Sequence, residues 1–211
     1  MKKMFGKKLA FLLAAVTLAT EVACNENMPA YFTTQVFSSG ETLISGYDAA
    51  TLPKNVKIPD SIYGIAKNVF EGCERLESVR FLGSTHIGEK TFYSCTSLKN
   101  VTFEKSPTES PITIRDYAFG YCRSLKSITS PEGGTEIWSD AFNGCTALAS
   151  VTLAKDVEVI APNAFKGCTS LKEVRYKNTI KRFKDILYGD AFENGVVIHC
   201  TDGDYVYGSD A

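Results

Sequence analysis

One frame of residues recurs along this chain, and it leaves few folds open. Its clearest copy is Ile137-Trp-Ser-Asp-Ala-Phe-Asn-Gly-Cys-Thr-Ala-Leu-Ala-Ser-Val-Thr-Leu153, and the next is Ile160-Ala-Pro-Asn-Ala-Phe-Lys-Gly-Cys-Thr-Ser-Leu-Lys-Glu-Val-Arg-Tyr176. Five copies align on Phe70, Phe92, Phe119, Phe142 and Phe165. Each Phe is followed by Cys73, Cys95, Cys122, Cys145 or Cys168, then by Leu76, Leu98, Leu125, Leu148 or Leu171. Val79, Val101, Ile128, Val151 and Val174 complete the frame, and Ile65, Ile87, Ile114, Ile137 and Ile160 precede it. Successive cysteines lie 22, 27, 23 and 23 residues apart. A fixed period of this length belongs to stacked coils.

A single coil cannot bury its own apolar side chains, so neighbours must share one core and the same slot must be apolar in each. The Leu-x-x-Val-x-Leu segment ends in period-2 alternation, which sends Val151 and Leu153 inward and Thr152 outward. Stacked copies of that segment predict a parallel sheet, with the Ile and Ala-Phe slots lining the opposite wall. Ser130 stands where Phe or Leu is expected and Gly133-Gly134 follows, so that coil reads as locally weaker.

The pattern Ile-x-x-x-Ala-Phe-x-Gly-Cys-x-x-Leu-x-x-Val-x-Leu, held from about Val56 to Cys200, resembles the BspA-like leucine-rich repeats of bacterial surface proteins. The resemblance implies a mainly β, right-handed leucine-rich-repeat solenoid with short helical turns, a small horseshoe capped at both ends. It also implies export and a role in adhesion or partner binding. Members of the family close on a segment similar to His199-Cys-Thr-Asp-Gly203.

The flanks read differently. Met1-Lys-Lys-Met-Phe-Gly-Lys-Lys followed by the apolar run Leu9–Ala19 reads as a signal peptide over residues 1–23. Without those residues the chain loses four Lys and one Glu and is mildly acidic, which excludes a nucleic-acid surface. Two endings of the signal compete. Val22-Ala-Cys24 resembles a lipobox with Cys24 lipidated, although Glu21 stands where an aliphatic residue is usual; the alternative is ordinary cleavage near Ala19. Residues 24–55 read as a linker and a hairpin cap, with β-formers Tyr31–Phe37 and Glu41–Tyr47 flanking Ser38-Ser-Gly40. The solenoid is assigned to 56–176, beginning with the half repeat Val56-Lys-Ile58. Glu104–Pro111 lengthens one coil by a surface loop. Residues 177–200 read as a C-terminal cap, with helical spacing at Phe183, Ile186 and Leu187, and 201–211 as a flexible tail.

The five frame cysteines read as a ladder of free, inert thiols, because parallel Cβ atoms one strand spacing apart lie beyond disulfide reach. No Cys-x-x-Cys pair marks a metal site, and no cofactor motif is present. His199 and Cys200 are adjacent in a strand and so face opposite ways, which excludes a nucleophile–base pair. His86 reads as a solvated loop side chain. The pattern is that of a binding module, not an enzyme.

The outward strand positions form two columns on the concave face. One holds Arg80, Thr102, Thr129, Thr152 and Arg175; the other holds Ser78, Asn100, Ser127 and Ser150. Small polar groups of low ordering cost suit a protein or glycan surface, on the host or in the envelope. Trp138, in a slot that is Ala66, Gly88, Arg115 or Ala161 elsewhere, reads either as a hot spot on the outer wall or as packing beside Ser130 and Gly133-Gly134. The leading expectation is a non-enzymatic adhesion or protein-interaction module of a bacterial envelope, monomeric or weakly oligomeric. It would touch membrane only through an N-terminal lipid. The alternative is a carrier of a small hydrophobic ligand, walled by Phe183, Tyr188, Tyr205 and Tyr207 near the cap. The intact mass of the full-length product from a lipoprotein-competent bacterium separates the two readings of Cys24. An acylated N-terminal Cys24 marks the lipobox; a soluble product with another N-terminus marks ordinary cleavage.

Overall fold

The structure is a computed structural model that describes residues 28–104 and 111–209. The signal peptide, Cys24 and most of the Glu104–Pro111 loop lie outside the described residues.

The chain opens with β1 (Phe32–Val36), β2 (Thr42–Tyr47), β3 (Asn55–Ile58) and β4 (Ile62–Ile65). Long and short strands then alternate: β5 (Ser78–Phe81), β6 (His86–Ile87), β7 (Asn100–Phe103), β8 (Thr113–Ile114), β9 (Ser127–Thr129) and β10 (Glu136–Ile137). β11 (Ser150–Leu153), β12 (Val159–Ile160) and β13 (Glu173–Tyr176) follow, then α1 (Ile180–Ile186), β14 (Val197–Cys200) and β15 (Gly203–Val206). The long strands make one sheet in the order β15-β14-β13-β11-β9-β7-β5-β3, and β1-β2-β4-β6-β8-β10-β12 make the other. The result is a mainly β leucine-rich-repeat solenoid of about seven turns.

Registers keep equivalent slots in line. Val56 pairs with Val79 and Val79 with Val101; Val151 pairs with Ile128 and with Val174. Stacked slots therefore put like on like. The Phe rings form a continuous column, Phe70–Phe92–Phe119–Phe142–Phe165–Phe192, with centroids 4.8–5.2 Å apart and planes within 6° of parallel. Tyr47 stacks on Phe70 at one end, and Tyr207 meets Phe192 edge-on at the other. The column thus runs beyond Tyr176, through a sixth rung at Phe192.

Beside the rings runs a ladder of thiols. Cys95, Cys122, Cys145 and Cys168 donate to the carbonyls of Phe70, Phe92, Phe119 and Phe142 in the preceding coil, at 3.0–3.2 Å. All are free and buried, as is Cys73. Burial pushes the Cys95 and Cys168 thiols up to about 12 and those of Cys122 and Cys145 well above their ordinary value. They stay protonated and so keep their donor role.

α1 is the only α-helix among the described residues. The link from short to long strand is a chain of tight turns with two left-handed positions per coil. Two residues before Phe lie Asn68, Lys90, Tyr117, Asp140 and Asn163, with φ of 52–61°. Two residues after it lie Gly72, Ser94, Tyr121, Gly144 and Gly167, with φ of 56–71°. These reversals interrupt helical continuity and aim backbone N–H groups at the next coil instead. Phe92 N–H donates to the Ala118 carbonyl at 2.7 Å and Phe142 N–H to that of Ala164 at 2.8 Å; the flanking left-handed residues do likewise.

The ends differ from the middle. β1 and β2 pair antiparallel, and β2 joins β4 in parallel, so the hairpin extends the short-strand sheet and lays Tyr31, Phe32 and Tyr47 near Phe70. The outer edge of β3, bracketed by Pro53 and Pro59, is left uncovered by it. At the other end, the reading of 201–211 as a flexible tail is corrected over the described residues 201–209. β15 pairs with β14, and buried Tyr207 accepts the Ala191 N–H at 2.9 Å. Asp202 accepts the Ile180 N–H at 2.8 Å, while Thr179 caps α1 by accepting from Arg182 N–H.

The coil with Ser130 is repaired by polar contacts. Pro131 ends β9 one residue early, and buried Ser130 Oγ accepts the Ala154 N–H at 2.8 Å. Gly133 N–H is taken by Asp156 at 2.6 Å.

The Phe142 ring is fully buried between two others. Phe142→Ala is expected to cost about 3–5 kcal/mol. Because coils couple only to their neighbours, denaturant melts followed by circular dichroism should show a split transition. An unchanged melt would contradict the shared-ring account.

Candidate functional site

The outward columns lie where strand alternation puts them. Lys57, Arg80, Thr102, Thr129 and Arg175 are exposed and Thr152 is half-buried, while Val56, Val79, Val101, Ile128, Val151 and Val174 between them are buried. Arg80 pairs with Thr102, and Thr152 with both Thr129 and Arg175. In the second column Ser78 pairs with Asn100, Asn100 with Ser127 and Ser127 with Ser150. The centre of the face is therefore a run of hydroxyls and one amide across β7, β9 and β11.

Its margins are charged and already engaged. Arg80 forms an ion pair with Glu104 of the next coil. Glu77 bridges Lys54 at 2.9 Å and Lys99 at 3.1 Å, and Ser78 donates to Asn55 at 2.6 Å. The first column continues past Arg175 to His199, its registered neighbour on β14, and then to Asp204 on β15. His199 lies between Asp204 (Nδ1···Oδ1, 2.8 Å) and Glu173 (Nε2···Oε2, 2.9 Å). Both nitrogens facing carboxylates favours the doubly protonated ring, so hydrogen bonds to Asp204 and Glu173 hold its pKa above the ordinary value. Asp204 was not legible as part of the face, because the segment carrying it reads as tail rather than strand; His199 was read in a strand but not joined to the column.

Other residues singled out from the sequence separate from this face. Trp138 is half-buried; its Nε1–H donates to Glu136 at 3.2 Å, and Arg115 sits 5.6 Å from its ring. The space beside Gly134 is filled by the Glu158 carboxylate. His86 is not solvated: it lies in β6, accepts the Thr113 N–H on Nδ1 at 3.1 Å and packs 4.8 Å from Tyr63. Phe183 and Tyr207 are core residues, whereas Tyr188 is exposed and Tyr205 lies under Lys184. Tyr205 also meets the Phe183 ring at 6.3 Å.

The comparisons with known proteins bear on what such a solenoid is. The BspA type leucine rich repeat region matches in six copies, over residues 47–110 and 85–195. The chain belongs to the BspA-type leucine-rich repeat family. Among solved structures, this BspA-type chain is similar to a leucine rich cell surface protein from Faecalibacterium prausnitzii A2-165. The identity is 26% and the TM-score 0.64, covering 75% of this chain and 41% of that one. It is similar in fold to the pneumococcal vaccine antigen PcpA, with 22% identity, TM-score 0.57, and 77% and 41% of the two chains covered. A leucine rich repeat protein of T. pallidum aligns at 23% identity and TM-score 0.50, over 79% of this chain and 99% of that one. The chain spans about two-fifths of the first of these. No curated protein sequence matches it.

The His199 bridge ties the last hairpin to the solenoid and should make its docking depend on pH. A raised pKa in the folded state means the stabilisation is complete below the unfolded value of about 6.5 and fades as pH rises through the folded value. Arg175, the registered neighbour, is the like charge opposing it. Amide exchange of β14 and β15 should accelerate between pH 6 and pH 9 beyond the intrinsic rate change. His199→Gln should remove that excess; an excess that persists in the variant would assign it elsewhere.

Proposed function

We propose that this chain is a non-enzymatic adhesion or partner-binding module displayed at a bacterial cell envelope, and that it engages a protein or glycan surface through the long-strand sheet. One observation carries the reading: Thr102, Thr129 and Thr152 form a column across β7, β9 and β11, bounded by Arg80 and Arg175. Short hydroxyl side chains on a hydrogen-bonded sheet lose little entropy when a partner covers them. Membership of the BspA-type family and the likeness to a protein described as a cell surface protein support the envelope setting.

Chemistry at the cysteines fits this reading. The thiolate is the nucleophilic form, and burial holds Cys95, Cys122, Cys145 and Cys168 away from it. Cys200 neighbours His199 in the chain, but the His199 ring nitrogens are bound to Asp204 and Glu173.

The chain from Asn25 onward, immobilised as bait for host-surface and envelope extracts, supplies the partner; surface plasmon resonance on variants then maps the contact. Thr129→Glu leaves the core untouched and should shift stability by no more than about 0.5 kcal/mol. It places an unpaired charge under the partner and should cost about 2–5 kcal/mol of affinity. Arg175→Ala, at the margin, should act mainly on the association rate and its salt dependence. Trp138→Ala on the other wall is the control. Loss of binding in Trp138→Ala with none in Thr129→Glu would move the contact to that wall.

A further inference from the structure

A second surface lies away from the sheet face, on the edge formed by the tight turns. Tyr93, Tyr117 and Tyr121 cluster there, with centroids 6.0 Å (Tyr93–Tyr117) and 5.4 Å (Tyr93–Tyr121) apart in edge-to-face contact. All three are half-buried. Their placement departs from the frame. Tyr117 occupies the left-handed slot filled by Asn68, Lys90, Asp140 or Asn163 in other coils, and Tyr121 the one filled by Gly72, Ser94, Gly144 or Gly167. Asn, Asp and Gly tolerate positive φ; a bulky ring there is a backbone outlier. Neither ring belongs to the buried core, so core packing does not account for them.

Small residues make room for the cluster. A side chain at Gly120 would crowd the rings of Tyr93 and Tyr117, and one at Gly144 would strike the Tyr121 ring. The Asp140 carboxylate lies near the Tyr117 hydroxyl and, second to burial, raises its pKa; it also accepts from Asn143 at 2.6 Å. Cations lie over the rings: Lys90 is 5.7 Å from Tyr93 and 6.0 Å from Tyr117, and Arg123 is 5.8 Å from Tyr121. Among the described residues neither cation has an ion-pair partner.

We infer that this tyrosine edge binds an acidic glycan, a chain of pyranose rings bearing carboxylates. The apolar C–H face of a pyranose packs on an aromatic face, and tyrosine offers rigid, amphipathic area at low entropic cost. Lys90 and Arg123 supply charge complementarity for carboxylates; they cover ring faces in the free chain, so a sugar ring stacks as they turn outward to its carboxylates. An extended peptide is a poorer fit. It would need free backbone groups, and here the N–H groups of Lys90, Phe92, Ser94, Tyr117, Phe119 and Tyr121 all donate to the next coil. The site is separate from the threonine column and does not depend on that column binding anything.

Isothermal titration of the full chain with oligogalacturonate and with oligosialate tests this, with cellohexaose and poly-glutamate as comparators. Binding of at least one acidic glycan is expected, weaker at high salt because Arg123 is exposed and Lys90 half-buried, both within reach of solvent ions. Tyr117→Asn/Tyr121→Gly installs residues that the same slots carry elsewhere. It should melt no lower than the parent while binding at least about tenfold more weakly, as loss of an aromatic anchor does. Lys90→Gln/Arg123→Gln, which leaves the turns alone, should weaken binding and flatten its salt dependence, and Thr129→Glu should change nothing. No binding by either acidic glycan, equal binding of cellohexaose or poly-glutamate, or full binding by the tyrosine double variant would overturn the assignment.

Discussion

Everything in this molecule depends on one spacing: coils stack at the distance of hydrogen-bonded strands, and each slot must meet its own copy at that distance. Flat rings meet this condition face to face, which is why the Phe column is continuous from Phe70 to Phe192. A small thiol meets it by donating to the carbonyl one coil back. A bulky or charged group meets it only on the outside, where water or a neighbouring countercharge can help. Inner slots are therefore restricted to a few residue types, and outer slots are free to vary.

The turns supply the third set of coil-to-coil hydrogen bonds, between the two sheets. Two left-handed residues per coil keep the backbone from closing into a helix and direct its N–H groups along the stack. Where the frame supplies Asn, Asp or Gly the conformation is easily adopted. Where it supplies Tyr117 and Tyr121, the same backbone carries large rings on its surface, and the fold tolerates them because the ladder on either side over-determines the turn.

The inner architecture was legible in the sequence because it depends on equivalent slots, and equivalent slots repeat. The Val, Leu, Phe and Cys positions and the outward threonines all follow from alternation and period. The polar pairings between unlike slots were not legible. Nothing periodic announces that Arg80 meets Glu104, that His86 accepts from Thr113, or that His199 lies between Glu173 and Asp204. The left-handed turn positions were not legible because they repeat as diverse residue types. β15 was missed because it is used once, so no second copy marks it. Tyr117 and Tyr121 were not singled out in the sequence, because their slots vary in residue type and only the backbone angles mark them.

The terminal tyrosines have a consequence for ancestry. Tyr47 lies flat on the first phenyl rung and Tyr207 edge-on against the last, and each touches only the rung beside it. Neither contact registers how many rungs lie between. A duplication or deletion of one whole coil would leave both terminators facing the same surface as before. Coil number is then a nearly neutral trait, open to drift by unequal recombination, and the breadth of the sheet can be selected without redesigning either end.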